Sequence, residues 1–273
     1  MNCNYKWYTY IIALLFIISA QAVGAYPYTQ YGDLGYNVFS LLPNVTGFCA
    51  LWLSMRYIHK DSFLKLITFN SKINFPKVLF GAVCWFVLTT IYTIVTAILH
   101  PEQTFSWNFS VPHFIKLLVV GITLLPIQTT FEELLFRGYI FQGISRKIGN
   151  KWTAMFITAF IFAGMHLFNP EIITFGFWTM LLQYLAISLI FGVIACKENS
   201  TEITIGMHYA NNFFAMVCVV YQGTVFNHEG ALFKVTQPIN DYKDTIAMVI
   251  AGILMYGAYY WKYIYKHKTD QIS

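Results

Sequence analysis

Apolar runs of roughly twenty residues, separated by short polar stretches, occupy most of this chain. At a rise of about 1.5 Å per residue, some 20 residues cross a hydrocarbon layer ~30 Å thick. On that ruler eight spans are expected, near residues 7–25, 36–56, 77–99, 115–141, 151–168, 173–196, 202–221 and 245–265. Punctuation agrees with these limits: Pro101 follows the third run, Pro112 opens the fourth, and Asn169-Pro170 closes the fifth. Aromatic residues such as Trp7, Tyr57, Trp107, Trp152 and Trp261 gather near the boundaries, as interfacial belts do. The pattern predicts an all-α fold, a polytopic transmembrane helical bundle.

Composition strengthens that reading. Of 273 residues, 57% are hydrophobic and only 11% charged, against about 25% charged in a soluble domain. The net charge of +5 is distributed by topology, with no single basic patch. All 17 Lys and Arg except Lys116, Lys234 and Lys243 fall on one side of the expected membrane. The positive-inside rule then puts both termini in the cytoplasm, and no nucleic-acid partner is expected. The five cysteines are scattered without a C-x-x-C pair, which suits small core residues and neither a disulfide framework nor a zinc cluster. Lys6, an apolar run and Val23-Gly24-Ala25 also resemble a signal peptide, but the topology works with a retained anchor helix, which is the favoured reading.

Few ionisable side chains are left inside the spans: Glu132, Glu133 and Arg137 in the fourth, His166 in the fifth and His208 in the seventh. A charge at membrane depth costs several kcal/mol, so such groups need partners and usually mark function. Glu133 and Arg137 stand four apart on a helix and form an acid–base pair, a structural ion pair being the plain reading. Glu132 points about 100° away from that face and is free to meet another helix. His208 shares a face with Asn212, and Phe162 shares one with His166. Counted from the helix ends, Glu132, His166 and His208 reach compatible depths in one polar cavity. A carboxylate can act as general base or acid, and imidazole and carboxamide can donate to an oxyanion. Taken singly, His166 or His208 is as easily a packing residue, and Phe162 and Asn212 are more easily so. The conjunction raises the functional reading.

In order, Glu132-Glu133-x-x-x-Arg137, Phe162-x-x-x-His166 and His208-x-x-x-Asn212 resemble the CAAX protease and bacteriocin-processing family, also called the type II CAAX prenyl endopeptidase or Abi family. The resemblance covers about residues 115–221. It implies a catalytic core there, flanked by N-terminal transmembrane helices in 1–114 and by an extracellular loop and last helix in 222–273. It implies an intramembrane endopeptidase in which Glu132 and His166 activate water while His208 and Asn212 donate to the oxyanion. Glu133, Arg137 and Phe162 would support them. The family has been described both as metalloprotease and as metal-free. A divalent metal such as zinc would take Glu132, His166 and His208, but that uses up the base and oxyanion groups, so water activation with no cofactor is the favoured reading.

Other intramembrane chemistries find no foothold: there is no H-E-x-x-H, no G-x-S-x-G and no Asp within the expected spans. The reading is a multi-pass peptidase of a bacterial cell membrane, cutting a membrane-associated peptide or protein near the cytoplasmic face. The alternative is a non-catalytic scaffold or bacteriocin self-immunity protein that binds other membrane proteins. An ion transporter would call for polar residues on both sides of the midplane, and the extracellular half is nearly bare of them. The bilayer is the one partner the composition names; the substrate's identity and the oligomeric state are not written in these motifs.

Overall fold

A computed structural model describes residues 5–99, 104–226, 230–236 and 242–265. Helix α1 (Trp7–Phe39) is followed by α2 (Leu42–Leu53), α3 (Phe75–Leu99), α4 (Val111–Thr123), α5 (Leu125–Glu133), α6 (Phe141–Ile148) and α7 (Lys151–Met165). Then come α8 (Glu171–Phe175), α9 (Phe177–Glu198), α10 (Glu202–Phe213) and α11 (Tyr242–Tyr259). Between or after them, wide i→i+5 turns prolong α2 through Ser54–His59, α5 through Leu134–Ile140, α10 through Phe214–Cys218 and α11 through Tyr260–Tyr265.

The chain is helical as expected, and five helical stretches are long and apolar enough to cross a membrane: Trp7–Pro27, Phe75–Ile98, Val111–Ile148, Lys151–Phe168 and Phe177–Glu198. Large apolar side chains on them point outward, among them Ile94, Ile98, Ile115 and Ile122, which suits lipid and would be costly in water. The segments matching the second, seventh and eighth expected spans are helical but do not meet that measure of length and apolarity. Three boundaries are corrected. The break expected after residue 25 is absent, because α1 runs on through Pro27 to Phe39 and the chain turns at 40–41. The fourth span extends through α6 to Ile148. The seventh ends in a strand.

That strand belongs to a small sheet set beside an otherwise all-α bundle. Three short strands, β1 (Thr104–Trp107), β2 (Val219–Tyr221) and β3 (Phe233–Thr236), form a sheet of order β1-β3-β2. β3 runs antiparallel to β1 and parallel to β2. The sheet gathers the connections at the ends of α3 and α10 and the starts of α4 and α11. Val235 is buried beneath it against Phe214 and Val219. Among the described cysteines none is in a disulfide, and only Cys196 is fully buried; Cys49 is exposed, so it is not a core residue.

At the opposite end, Gly149 adopts φ +75°, and the Asn150 side chain accepts from the N–H groups of Trp152 and Thr153 to cap α7. The start of α10 is held by the segment joining α2 to α3: Thr201 N–H donates to the Ile67 carbonyl at 2.8 Å, and Asn74 N–H donates to the buried Glu202 carboxylate at 2.7 Å. Nearby, Asp61 accepts from Tyr5, Lys65 and the Ser62 N–H. Burial pushes the Asp61 carboxyl up, but these donors outweigh it and hold it at about 2.

Two apolar clusters flank the centre. One joins α1, α2, α5 and α7 through Ile17, Leu51, Phe131 and Phe162; the other joins α3, α9, α10 and α11 through Trp85, Phe191, Met207 and Met255. Helices α3 and α10 cross with glycine on both sides. A Cβ on Gly206 would overlap the Val78 carbonyl, and one on Gly81 would overlap the Ile203 carbonyl. Such small-residue crossings let helix backbones approach within a membrane, where packing replaces the hydrophobic drive.

Two outcomes follow. Gly206→Val is expected to destabilise the detergent-solubilised protein by more than the roughly 1–3 kcal/mol of ordinary overpacking, because the obstacle is backbone. Thermal unfolding checks it, and a wild-type melting temperature would refute the close crossing. The Asp61 carboxyl lies below its ordinary value in the folded state, so its contribution is present above about pH 4 and lost as pH falls toward about 2. The stability gap between wild type and Asp61→Asn should therefore close across that window in a pH series of melts.

Candidate active site

Every residue singled out in the three motifs lies in one region where the two apolar clusters meet, Phe162 belonging to the first of them. The sequence builds it from helix ends and irregular turns. Helix α4 gives way to α5 at Leu124, with Pro126 in the first turn of α5, where its missing N–H costs nothing. Glu132 and Glu133 close α5, and the wide turn that follows carries Arg137. His208 and Asn212 lie on α10 immediately before another wide turn. His166 sits at the C-terminal end of α7, where the helix tightens into a short 3₁₀ turn, His166–Phe168.

The side chains are graded in depth. Glu133 is fully buried, Arg137 and His208 are 5% and 7% exposed, and Glu132 and His166 are 16% and 22% exposed. The innermost layer is ionic. Arg137 Nη1 donates to Glu133 Oε1 at 2.9 Å, and His208 Nδ1 donates to the same oxygen at 2.9 Å. Arg137 Nη2 reaches Ser188 Oγ at 3.0 Å. The guanidinium lies 4.5 Å from the Phe162 ring centroid and 5.6 Å from that of Phe191, so cation–π contact adds to the pairing. The expected Glu133–Arg137 pair is thus present, but it is a four-way junction with His208 and Ser188.

The outer layer faces Glu132. Its Oε2 is buried and accepts no hydrogen bond, with His208 Nε2 at 3.7 Å and His166 Nε2 at 4.0 Å. These separations exceed a direct hydrogen bond and suit one intervening water. Both imidazoles are oriented from behind. His166 Nδ1 bonds the Phe162 carbonyl at 2.8 Å and His208 Nδ1 bonds Glu133, so each ring keeps a proton on Nδ1 and turns Nε2 toward Glu132, as an acceptor on a neutral imidazole or a donor on an imidazolium. Phe162 and Tyr184 flank the His166 ring, at centroid distances of 4.2 and 4.8 Å.

Gln128 joins the remaining pieces. One turn before Glu132, its Nε2 donates to Glu132 Oε1 at 2.5 Å, and its Oε1 accepts from Asn212 Nδ2 at 3.2 Å. Asn212 therefore reaches Glu132 through Gln128, and one of its two N–H bonds is left for another acceptor. Gln128, Ser188, Tyr184 and Phe191 were not among the sequence candidates. Spacing alone marks Gln128, at i−4 from Glu132; the others come from α9, which carries no motif residue.

Two imidazoles and a carboxylate are the right donors in kind for a catalytic metal. Among the described residues, however, no three His, Cys, Asp or Glu side chains are disposed to hold a metal ion. Glu132, His166 and His208 do not form such a set as they stand.

Comparison with known proteins gives the same identification as the motifs. Residues 113–214 match the type II CAAX prenyl endopeptidase Rce1-like family. The chain is also 33% identical over 211 residues to the uncharacterized protein YyaK of Bacillus subtilis, an alignment covering 76% of this chain and 70% of that one. No solved structure matches. The chain belongs to the Rce1-like family of type II CAAX prenyl endopeptidases, a family of membrane proteases.

The junction at Glu133 predicts unequal costs. Arg137→Met strands the buried Glu133 charge and is expected to cost about 3–5 kcal/mol, whereas adding Glu133→Gln to it should recover much of the loss. Denaturation of the two variants in detergent measures the difference. Equal destabilisation would mean that the charge pairing is not what holds Arg137.

Proposed function

We propose that this protein is an intramembrane endopeptidase that hydrolyses a peptide bond of a membrane-associated peptide or protein, with Glu132 as general base and acid. The observation that carries the reading is the unbonded, buried Glu132 Oε2 facing the two Nε2 atoms. A water held there has an acceptor in Glu132 and another in His166. Attack of its oxygen on the scissile carbonyl sends one proton to Glu132 and puts negative charge on the carbonyl oxygen. Asn212 Nδ2–H and a protonated His208 Nε2–H are the donors for that oxyanion. Glu133 balances the positive charge on His208 during this step, much as a carboxylate does behind a catalytic imidazole. When the C–N bond breaks, Glu132 returns its proton to the leaving amine, leaving a carboxylic acid and an amine as products.

Gln128 positions Glu132 through Oε1, which leaves Oε2 for chemistry. The favoured reading needs no metal. The substrate meets the site from the side of Glu132 and His166, which are partly exposed where Glu133, Arg137 and His208 are buried.

The isosteric change Glu132→Gln is expected to lower turnover by roughly 10²–10⁴-fold without unfolding the protein. Mass spectrometry of membrane-associated peptides from cells carrying either form is the measurement. Identical cleavage products in both would remove the peptidase assignment from this site. Purified protein with a cleavable reporter should keep its rate in the presence of a chelator, and loss of turnover restored by zinc would replace the water mechanism with a metal one.

A further inference from the structure

A cavity of about 250 Å³ lies between α3, α9, α10 and α11. Asn211 lines it and donates to Asn212 Oδ1 at 3.1 Å, so the cavity and the peptidase site share one strip of helix. Its walls are mainly apolar and aromatic, with Trp85, Tyr92 and Tyr221 presenting rings. Two carboxylates, Glu171 and Asp244, also line it, and among the described residues no Lys, Arg or His does. Asp244 accepts from the Tyr92 hydroxyl. Glu171 is only 7% exposed; its Oε1 accepts from the Val225 N–H at 2.9 Å, the Tyr184 hydroxyl is a donor beside the carboxylate, and among the described residues none hydrogen-bonds its Oε2.

A buried carboxylate oxygen without a donor is costly, and an apolar cavity gives it a low-dielectric setting in which a cation is strongly favoured. Aromatic faces add cation–π attraction for the same kind of guest. We infer that this cavity is a binding site for a primary ammonium group carried on a small apolar body, with Glu171 and Asp244 as the counter-charges. The ammonium supplies three donors, of which one satisfies Glu171 Oε2, while the apolar body replaces water against the cavity wall. An anion meets two carboxylates there, and a neutral alcohol supplies a single donor and no charge. The inference does not depend on the peptidase reading.

The test uses the full-length protein in a non-ionic detergent and two probes of matched size, hexylammonium and hexan-1-ol, titrated calorimetrically. Saturable binding of hexylammonium at least roughly tenfold tighter than the alcohol is expected. Glu171→Gln with Asp244→Asn should abolish that preference, and Ala251→Phe, which fills the cavity and leaves both carboxylates in place, should abolish saturable binding of both probes. Equal affinity for the two probes in wild type, a preference that survives the double carboxylate variant, or binding unaffected by Ala251→Phe would each overturn the inference. If the double variant fails to fold, the wild-type preference and the Ala251→Phe arm decide it.

Discussion

A single buried carboxylate, that of Glu133, governs the centre of this molecule. It has no exposure and must be compensated from inside the protein. Arg137 and His208 do so through one oxygen, and each partner then imposes order on a different part of the fold. The Arg137 guanidinium is held between Phe162 of one apolar cluster and Phe191 of the other, so the charge pair is also the seam between the two halves of the bundle. His208, held from behind, turns its other nitrogen toward Glu132. The layer around Glu132 inherits its geometry from the ionic one beneath it.

The two glutamates illustrate how adjacent residues on a helix acquire different duties. They are separated by about 100° of rotation, enough to put one against α9 and α10 and the other against the gap shared with α7. Glu133 is saturated on one oxygen by charge. Glu132 is held on one oxygen by the neutral amide of Gln128 and keeps the second unbonded. A neutral partner orients a carboxylate without neutralising it, which is what a proton acceptor requires.

Much of this was legible beforehand because charge in a membrane helix is rare and conspicuous. Glu132, Glu133, Arg137, His166 and His208 stood out on cost alone, and the three spaced motifs led to the family that the comparisons establish. What escaped was neutral or brief. Gln128 and Ser188 carry no charge, so a polar residue of either kind in an apolar run raises no alarm, although helical spacing did put Gln128 beneath Glu132. The strands have three or four residues each, too few for alternation to show. Pro27 and its polar neighbours read as a loop, yet a helix supported along its length tolerates a proline that a free one does not. Glu171 and Asp244 were assigned to connections, and only the fold reveals that both line a cavity.

The glycine crossing of α3 and α10 bears on how the site can change shape. With backbone against backbone at Gly81 and Gly206, there is no compressible layer of side chains between these helices, and α10 cannot roll or slide on α3 without collision. His208 and Asn212 thus belong to a rigid anvil. His166 is placed differently: it sits where α7 ends and tightens into a 3₁₀ turn, and a Cβ added at Gly164, two residues before it, would meet nothing within 4 Å. Under the proposed peptidase reading, room for an incoming chain is more readily made on the α7 side, while His208 and Asn212 keep a fixed frame.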